Sequence, residues 1–335
     1  MMSFAMARTA PKRLPRFATS MLIVCGVAPD LDYVSFIAGP NAYMRIHRTA
    51  FHSVAGGALV ACGVAAAFCA LDRAMDLKPT PNDPTEPLIW RKAFAVCAAG
   101  ILGHFLLDFF SGSGIQLFWP FYTHWSGLDL MANLDPWILA ILIFGTLLPF
   151  LFKIINEEVG VRKKSNAGRD WAVGTLLLLA LYTGWRAELR SNAIDLLLTH
   201  QFHRREPNFA DAFPISNTPF TWFGVVRTDN TTETIEVPTS RDAEFDSNRS
   251  LSYYDNDASA ALDAATRAAP AVRFTKYARF PFAEISETTG GYHFEMRDLQ
   301  YERDDISPSN IVLLMQLDES FNVTADAFFY STSLR

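Results

Sequence analysis

The stretch SVAGGALVACGVAAAFCAL, residues 53–71, holds no charged side chain and is built mostly from Ala, Val, Gly and Leu. A helix rises about 1.5 Å per residue, so this run nearly crosses a hydrocarbon core about 30 Å thick. Working outward, residues 136–152 form a second uncharged run that ends at Lys153. Residues 93–107 are apolar. Trp90, Arg91 and Lys92 can snorkel at one end, and Phe109 and Phe110 extend the run at the other. Residues 171–185 lie between Arg169 and Arg186 with a Trp at each end. Residues 17–29 are the shortest candidate and run into Asp30 and Asp32. They also resemble the core of a signal peptide, but no small-residue cleavage site follows, and the two carboxylates argue for a retained helix that stops in a polar site.

Charge divides the chain. Residues 1–190 carry 17 Lys+Arg against 13 Asp+Glu, a net of +4; residues 191–335 carry 12 against 22, a net of −10. Neither part has the clustered basic residues of a nucleic-acid binder. All four cysteines, Cys25, Cys62, Cys69 and Cys97, sit in apolar segments, which argues against a disulfide framework and against Cys-ligated zinc. Basic residues number four in 1–20, four in 72–92, five in 153–169 and none in 111–135. By the positive-inside rule, five helices with a cytoplasmic N-terminus satisfy these counts, and the C-terminal part then lies outside.

After about residue 192 the pattern changes. Residues 192–202 can continue the last helix as an amphipathic stalk, and Pro207, Pro214 and Pro219 mark a linker. Residues 221–228, 231–237, 282–287, 291–298, 310–316 and 322–330 read as strands, 258–268 as a helix, and Gly290-Gly291 as a hairpin turn. The expected architecture is a membrane protein. A polytopic α-helical bundle of about five hydrophobic helices occupies 1–190, a stalk or linker 191–219, and a small α+β, mostly antiparallel, soluble domain 220–335. That domain has no nucleophile elbow, phosphate loop or Cys/His metal spacing. His200 and His203 read as linker residues, and His293 as a strand residue.

Charged groups beside hydrocarbon are costly and point to function. Asp30 and Asp32 follow the first apolar run. Arg45, His47, Arg48 and His52 stand at the mouth of the second. His104 and Asp108, at i and i+4, share one face of the third. Asp129 and Asp135 lie in a loop with Trp119, His124, Trp125 and Trp137. In the five-helix topology all four groups meet at the outer side of the membrane. Aspartate and imidazole suit Zn²⁺ first, with Mn²⁺ or Fe as alternatives. The candidate ligands are Asp32, His47, His52, His104 and Asp108, with Asp129 and Asp135 as possible additions. Asp30 is a candidate general base, as is Asp32, and Arg48 a holder of an anionic oxygen.

Each signal also has a plain structural explanation. A His-x-x-x-Asp pair can be hydrogen-bonded scaffolding. His47 and His52 are five apart, about 140° around an ideal helix, and converge only if the helix starts near His52; either alone suits a cap or the interface. Asp30 or Asp32 can cap the turn after Pro29. Asp135 before Pro136 is a natural N-cap. Asp129 suits a solvated loop, and Arg45 a lipid headgroup.

The order PDLDYVS (29–35), His47-Arg48, His52-Ser53, GHFLLDFFSGSGIQLFWPF (103–121) and GLDLMANLDPW (127–137) resembles the YdjM-type family. These are LexA-binding, inner-membrane-associated proteins regarded, by inference, as metal-dependent hydrolases. FPISNTPFTWFGVVRT (213–228) is similar to that group's C-terminal part. The resemblance implies a bacterial multi-pass inner-membrane protein with a divalent metal at Asp30, Asp32, His47, Arg48, His52, His104 and Asp108, with Asp129 and Asp135 in the loop motif. It names no substrate. Two departures stand out. Family members usually carry a Thr-His pair near their start, whereas this chain has no histidine before His47; and Thr49-Ala50-Phe51 replaces the frequent Gly-x-Thr.

The leading functional expectation is a membrane-bound metal-dependent hydrolase at the outer face of the inner membrane, acting on an ester or phosphoester of an amphiphilic, lipid-like substrate. A non-catalytic protein whose metal site ties helices together is the first alternative. A metal-ion or proton transporter is the second, disfavoured by the lack of an internal repeat and of polar groups near the midplane.

Overall fold

The computed structural model describes residues 1–9, 14–76, 88–158, 167–302 and 310–331. The helices in chain order are α1 (Met2–Thr9), α2 (Ala18–Cys25), a 3₁₀ helix (Ala28–Ala38), α3 (Pro40–Ile46), α4 (Val54–Ala74), α5 (Trp90–Phe110), α6 (Pro136–Glu158) and α7 (Ala167–Leu198). Two compact units divide the chain. The first comprises Met1–Asp32 and Arg48–Arg186, and the second Tyr33–His47 and Ala187–Arg335.

Among the described residues, three helical stretches are long and apolar enough to cross a membrane: Ala18–Ala38, Val54–Ala74 and Trp90–Phe110. This corrects the expected five. The apolar part of α6, Pro136–Phe152, is shorter. In α7, Arg169, Asp170, Arg186, Glu188 and Arg190 punctuate the apolar residues. The first stretch also differs from expectation: it does not stop at Pro29 but continues as a 3₁₀ helix through Asp30 and Asp32 to Ala38.

Small residues let the spanning helices approach closely, the usual means of packing where lipid supplies no hydrophobic drive. Gly57, Ala61, Ala65 and Cys69, four apart, form the buried stripe of α4, and α5 answers with Ala93, Cys97, Gly100, Ile101 and Phe105. A methyl group on Gly57 would stand 2.7 Å from Phe105 Cζ; one on Gly100 would stand 2.9 Å from Cys25 Cβ and 3.0 Å from the Leu22 carbonyl oxygen of α2. Cys25, Cys69 and Cys97 are free and buried within this core, as expected of small apolar residues.

The second unit carries two four-stranded antiparallel sheets, each a simple meander. The first contains β1 (Phe209–Pro214), β2 (Thr221–Arg227), β3 (Thr231–Pro238) and β4 (Leu251–Tyr254). Helices α8 (Ala260–Arg267) and α9 (Ala269–Tyr277) follow. The second sheet contains β5 (Pro281–Thr288), β6 (Gly291–Asp298), β7 (Ile311–Asp318) and β8 (Val323–Tyr330). Gly290-Gly291 does turn the β5–β6 hairpin: both have positive φ, and a Cβ on Gly291 would lie 1.9 Å from the Leu317 carbonyl oxygen. Trp222, Val226, Ile235 and Val237 bury the inner face of the first sheet against Leu189, Ala193 and Leu197 of α7. Glu233 on β3 is fully buried, and its carboxylate accepts from the hydroxyls of Thr231 (3.0 Å), Ser250 (2.8 Å) and Ser252 (2.7 Å), joining β3 to β4.

Candidate metal centre

The 3₁₀ helix brings Asp30 and Asp32 into the first unit's polar site, the turn before α4 brings Arg48 and His52, and the last turns of α5 bring His104 and Asp108. Ser53 starts α4 as its N-cap. The Ser53 hydroxyl accepts from Gly56 N–H at 3.0 Å and donates to the Ala50 carbonyl at 2.8 Å. A Cβ on Gly56 would lie 1.8 Å from that carbonyl oxygen, so only glycine fits this cap. The cap ends the non-helical turn one residue after His52 and points the imidazole at α5.

His52 Nε2, His104 Nε2 and Asp108 Oδ2 form a tight triangle. The edges are 3.1 Å between the two nitrogens, 3.1 Å from His52 to Asp108 and 3.0 Å from His104 to Asp108. Two ligands about 2.1 Å from one ion, at a tetrahedral angle, stand roughly 3.4 Å apart, so these edges are those of a slightly contracted ligand set. Asp30 completes the group: one carboxylate oxygen lies 3.7 Å from His104 Nε2, and ligand atoms of Asp30, His52 and His104 all fall within 4.8 Å of one another. The His52 side chain is fully buried, whereas that of Asp30 is 46% exposed, so the cluster is open on the Asp30 side.

Both imidazoles are oriented from behind. His52 Nδ1 faces Asp32 Oδ2 at 3.1 Å, and His104 Nδ1 lies 3.0 Å from the Gly26 carbonyl oxygen. A carboxylate or carbonyl behind the ring fixes the tautomer and turns the Nε2 lone pair toward the cluster, as in metal-bound histidines. Burial alone pushes the His52 imidazole down. Asp108 and Asp32 outweigh it and hold the group up, at about 9. A field that retains a proton there also favours a cation. The donor set and its edges fit a divalent ion.

Arg48 locks the far side. Its φ is 56°, a left-handed conformation uncommon for a side-chain-bearing residue. Its backbone N–H donates to Asp32 Oδ2 at 2.9 Å. Its guanidinium donates to Ser111 Oγ (2.7 Å) and to the Gly114 carbonyl (3.1 Å), and it lies 3.5 Å from Asp108 Oδ1.

The remaining candidates sit elsewhere. His47 belongs to the second unit, where its ring packs against those of Tyr33 and Tyr43, both at 4.4 Å between centroids. Asp135 caps α6, accepting from the N–H groups of Trp137 and Ile138 and from the Tyr182 hydroxyl. Asp129 is buried with φ 54° in the loop between α5 and α6. Arg186, fully buried, donates to the Leu130 carbonyl at 2.8 Å and ties that loop to α7. Sequence reasoning did not single out Ser111, Arg186 or the Gly26 carbonyl. Ser111 lies within the motif at 103–121, and Arg186 was read only as a helix boundary; a backbone acceptor such as Gly26 leaves no trace in residue type.

Fold and site together define a membrane protein with a metal-ligand cluster near one end of its apolar helices. Residues 1–193 match the family model described as YdjM inner membrane protein. The chain belongs to this family of inner membrane proteins. Searches of curated proteins and of solved structures give no match.

Proposed function

We propose that the protein is a metal-dependent hydrolase of the inner membrane that cleaves an ester or phosphoester in an amphiphilic substrate. The observation that carries this reading is the triangle of His52 Nε2, His104 Nε2 and Asp108 Oδ2, with both rings oriented from behind and Asp30 on the exposed side. His52, His104 and Asp108 are the proposed ligands. Two imidazoles and a carboxylate suit Zn²⁺ first, with Mn²⁺ or Fe as alternatives. A divalent ion held there lowers the pKa of a water molecule and polarises the bond to be cleaved.

Asp32 already accepts from the Arg48 N–H and faces His52 Nδ1, so it orients His52 and is unsuited to take a proton from water. Asp30, half-exposed beside His104, is the proposed general base. Arg48 fixes Asp108, and its positive charge favours an anionic group nearby. The distribution of Lys and Arg supports a cytoplasmic N-terminus, with the cluster and the C-terminal domain on the opposite face. The location of the cluster near a helix end supports a lipid-like substrate. One feature favours a purely structural metal: two imidazoles and two carboxylates can close a four-ligand sphere.

Elemental mass spectrometry of the purified protein tests the proposal, with His52→Ala and His104→Ala beside it. About one divalent ion per chain is expected, lost in both folded variants, followed by metal-dependent cleavage in a screen of phosphoester and ester lipids. Asp30→Asn separates the two readings: retained metal with lost cleavage marks a base. A folded wild type that takes up no Zn²⁺, Mn²⁺ or Fe on reloading overturns the hydrolase reading.

A further inference from the structure

The loop between α5 and α6 ends in a short turn, Phe118-Trp119-Pro120-Phe121-Tyr122, whose large apolar side chains face outward. Phe121 is 92% exposed, Phe118 57% and Tyr122 60%. From residue 111 to 128 the sequence contains no Lys, Arg, Asp or Glu. Such a patch is costly in water and marks an interaction surface.

Three features say what covers it. First, the patch is continuous with the membrane-spanning helices. The loop leaves α5 at Phe110, Val54 N–H at the start of α4 donates to the Leu117 carbonyl (2.9 Å), and Gln116 N–H donates to the Arg48 carbonyl (3.1 Å). The tip therefore emerges where two apolar helices end. Second, its backbone is suited to a dry environment. Trp119 N–H bonds to the Gln116 carbonyl, and Phe121 and Tyr122 N–H both bond to that of Phe118; Pro120 has no N–H. A segment whose donors are satisfied internally enters a low-dielectric layer without stranding them. Third, aromatic rings with one polar edge, as in Tyr122 and Trp119, are the residues that settle at the lipid headgroup boundary. Below the tip the loop is braced by the reciprocal Ile115–Ser126 backbone pair, both bonds 2.9 Å, and by Arg48 on Ser111 and Gly114.

We infer that the Phe118–Tyr122 turn is a wedge inserted into the lipid leaflet at the metal-cluster end, with Phe121 among acyl chains and Tyr122 at the headgroups. The partner is the bilayer itself, and the insertion stands independently of the hydrolase reading. The wedge is braced by the same arginine that holds Asp108, which fixes its position relative to the cluster. It would keep the leaflet surface at the level of the metal ligands and favour substrates drawn laterally from lipid.

Photo-crosslinking tests this on the full-length protein in phosphatidylcholine vesicles. p-Benzoylphenylalanine replaces Phe121 in one sample, Leu59 on the exposed side of α4 in a second, and Leu251 on β4 in a third. The expected result is a phosphatidylcholine adduct by intact mass at positions 121 and 59, and little or none at 251. Lipid capture at 59 without capture at 121 overturns the inference. So does an adduct at 121 that joins two copies of the chain, or one no more abundant than at 251. None of these readouts requires metal or catalysis, so failure here is distinct from failure of the proposed function.

Discussion

Asp32 and Asp108 illustrate how much a residue's role depends on which side of an imidazole it occupies. Both carboxylates are in contact with His52, but Asp32 meets Nδ1 and Asp108 meets Nε2. The sequence supplies the residue types and, through the i,i+4 spacing of His104 and Asp108, one shared face. It does not say which ring nitrogen each carboxylate meets, because that depends on the turn before α4 and on the 3₁₀ path of residues 28–38. Asp32→Asn should leave the fold intact and weaken metal binding by about 10–100-fold, as loss of an orienting partner usually does. A chelator competition on the purified variant measures it, and unchanged affinity would remove Asp32 from the site. Asp135 shows the opposite outcome. Its place before Pro136 already suggested a cap, and it is one.

Elements were legible where hydrophobic period and length agree. The runs containing α4 and α5 are plain in the sequence, as are the strands β2, β3, β5, β6, β7 and β8, whose ends fall within about two residues of expectation. Two strands and one helix were missed for physical reasons. β1 lies among Pro207, Pro214 and Pro219 and reads as linker, yet it pairs along its whole length with β2. β4 is only four residues long, and Pro270 near the start of α9 masks a helix that begins with proline in its first turn. The close α2–α5 approach was not readable, because it depends on the absence of a side chain at one position. Gly100→Leu should destabilise the bundle by about 1–3 kcal/mol through overpacking, since the Leu22 backbone cannot withdraw as a side chain can. A lowered midpoint in detergent-induced unfolding is the expected readout. In the C-terminal domain, Glu233→Ala strands three hydroxyls that now donate to one buried carboxylate. A loss of about 1–3 kcal/mol is expected, read as a lower Tm.

At the scale of the whole molecule, the division between an apolar, basic-edged part and an acidic, strand-rich part was visible from charge and composition alone. The number of spanning helices was not, since α7 alternates charged turns with apolar ones. The topology remains a proposal with a direct test. Alkaline phosphatase fused after Asp76, at the end of α4, should be inactive in intact bacterial cells. A fusion after Ser331 should be active; the reverse pattern would invert the orientation. The four site residues, Asp30, His52, His104 and Asp108, come from three apolar segments that enter the membrane one after another. A nascent chain that has delivered only the first two carries half of the cluster, and the cluster exists only once α5 has docked between its neighbours. An ion that binds four converging side chains, but not separated helices, shifts the equilibrium toward the assembled bundle. Metal uptake would then act as the last step of biogenesis, a latch that distinguishes a finished bundle from helices that are merely inserted.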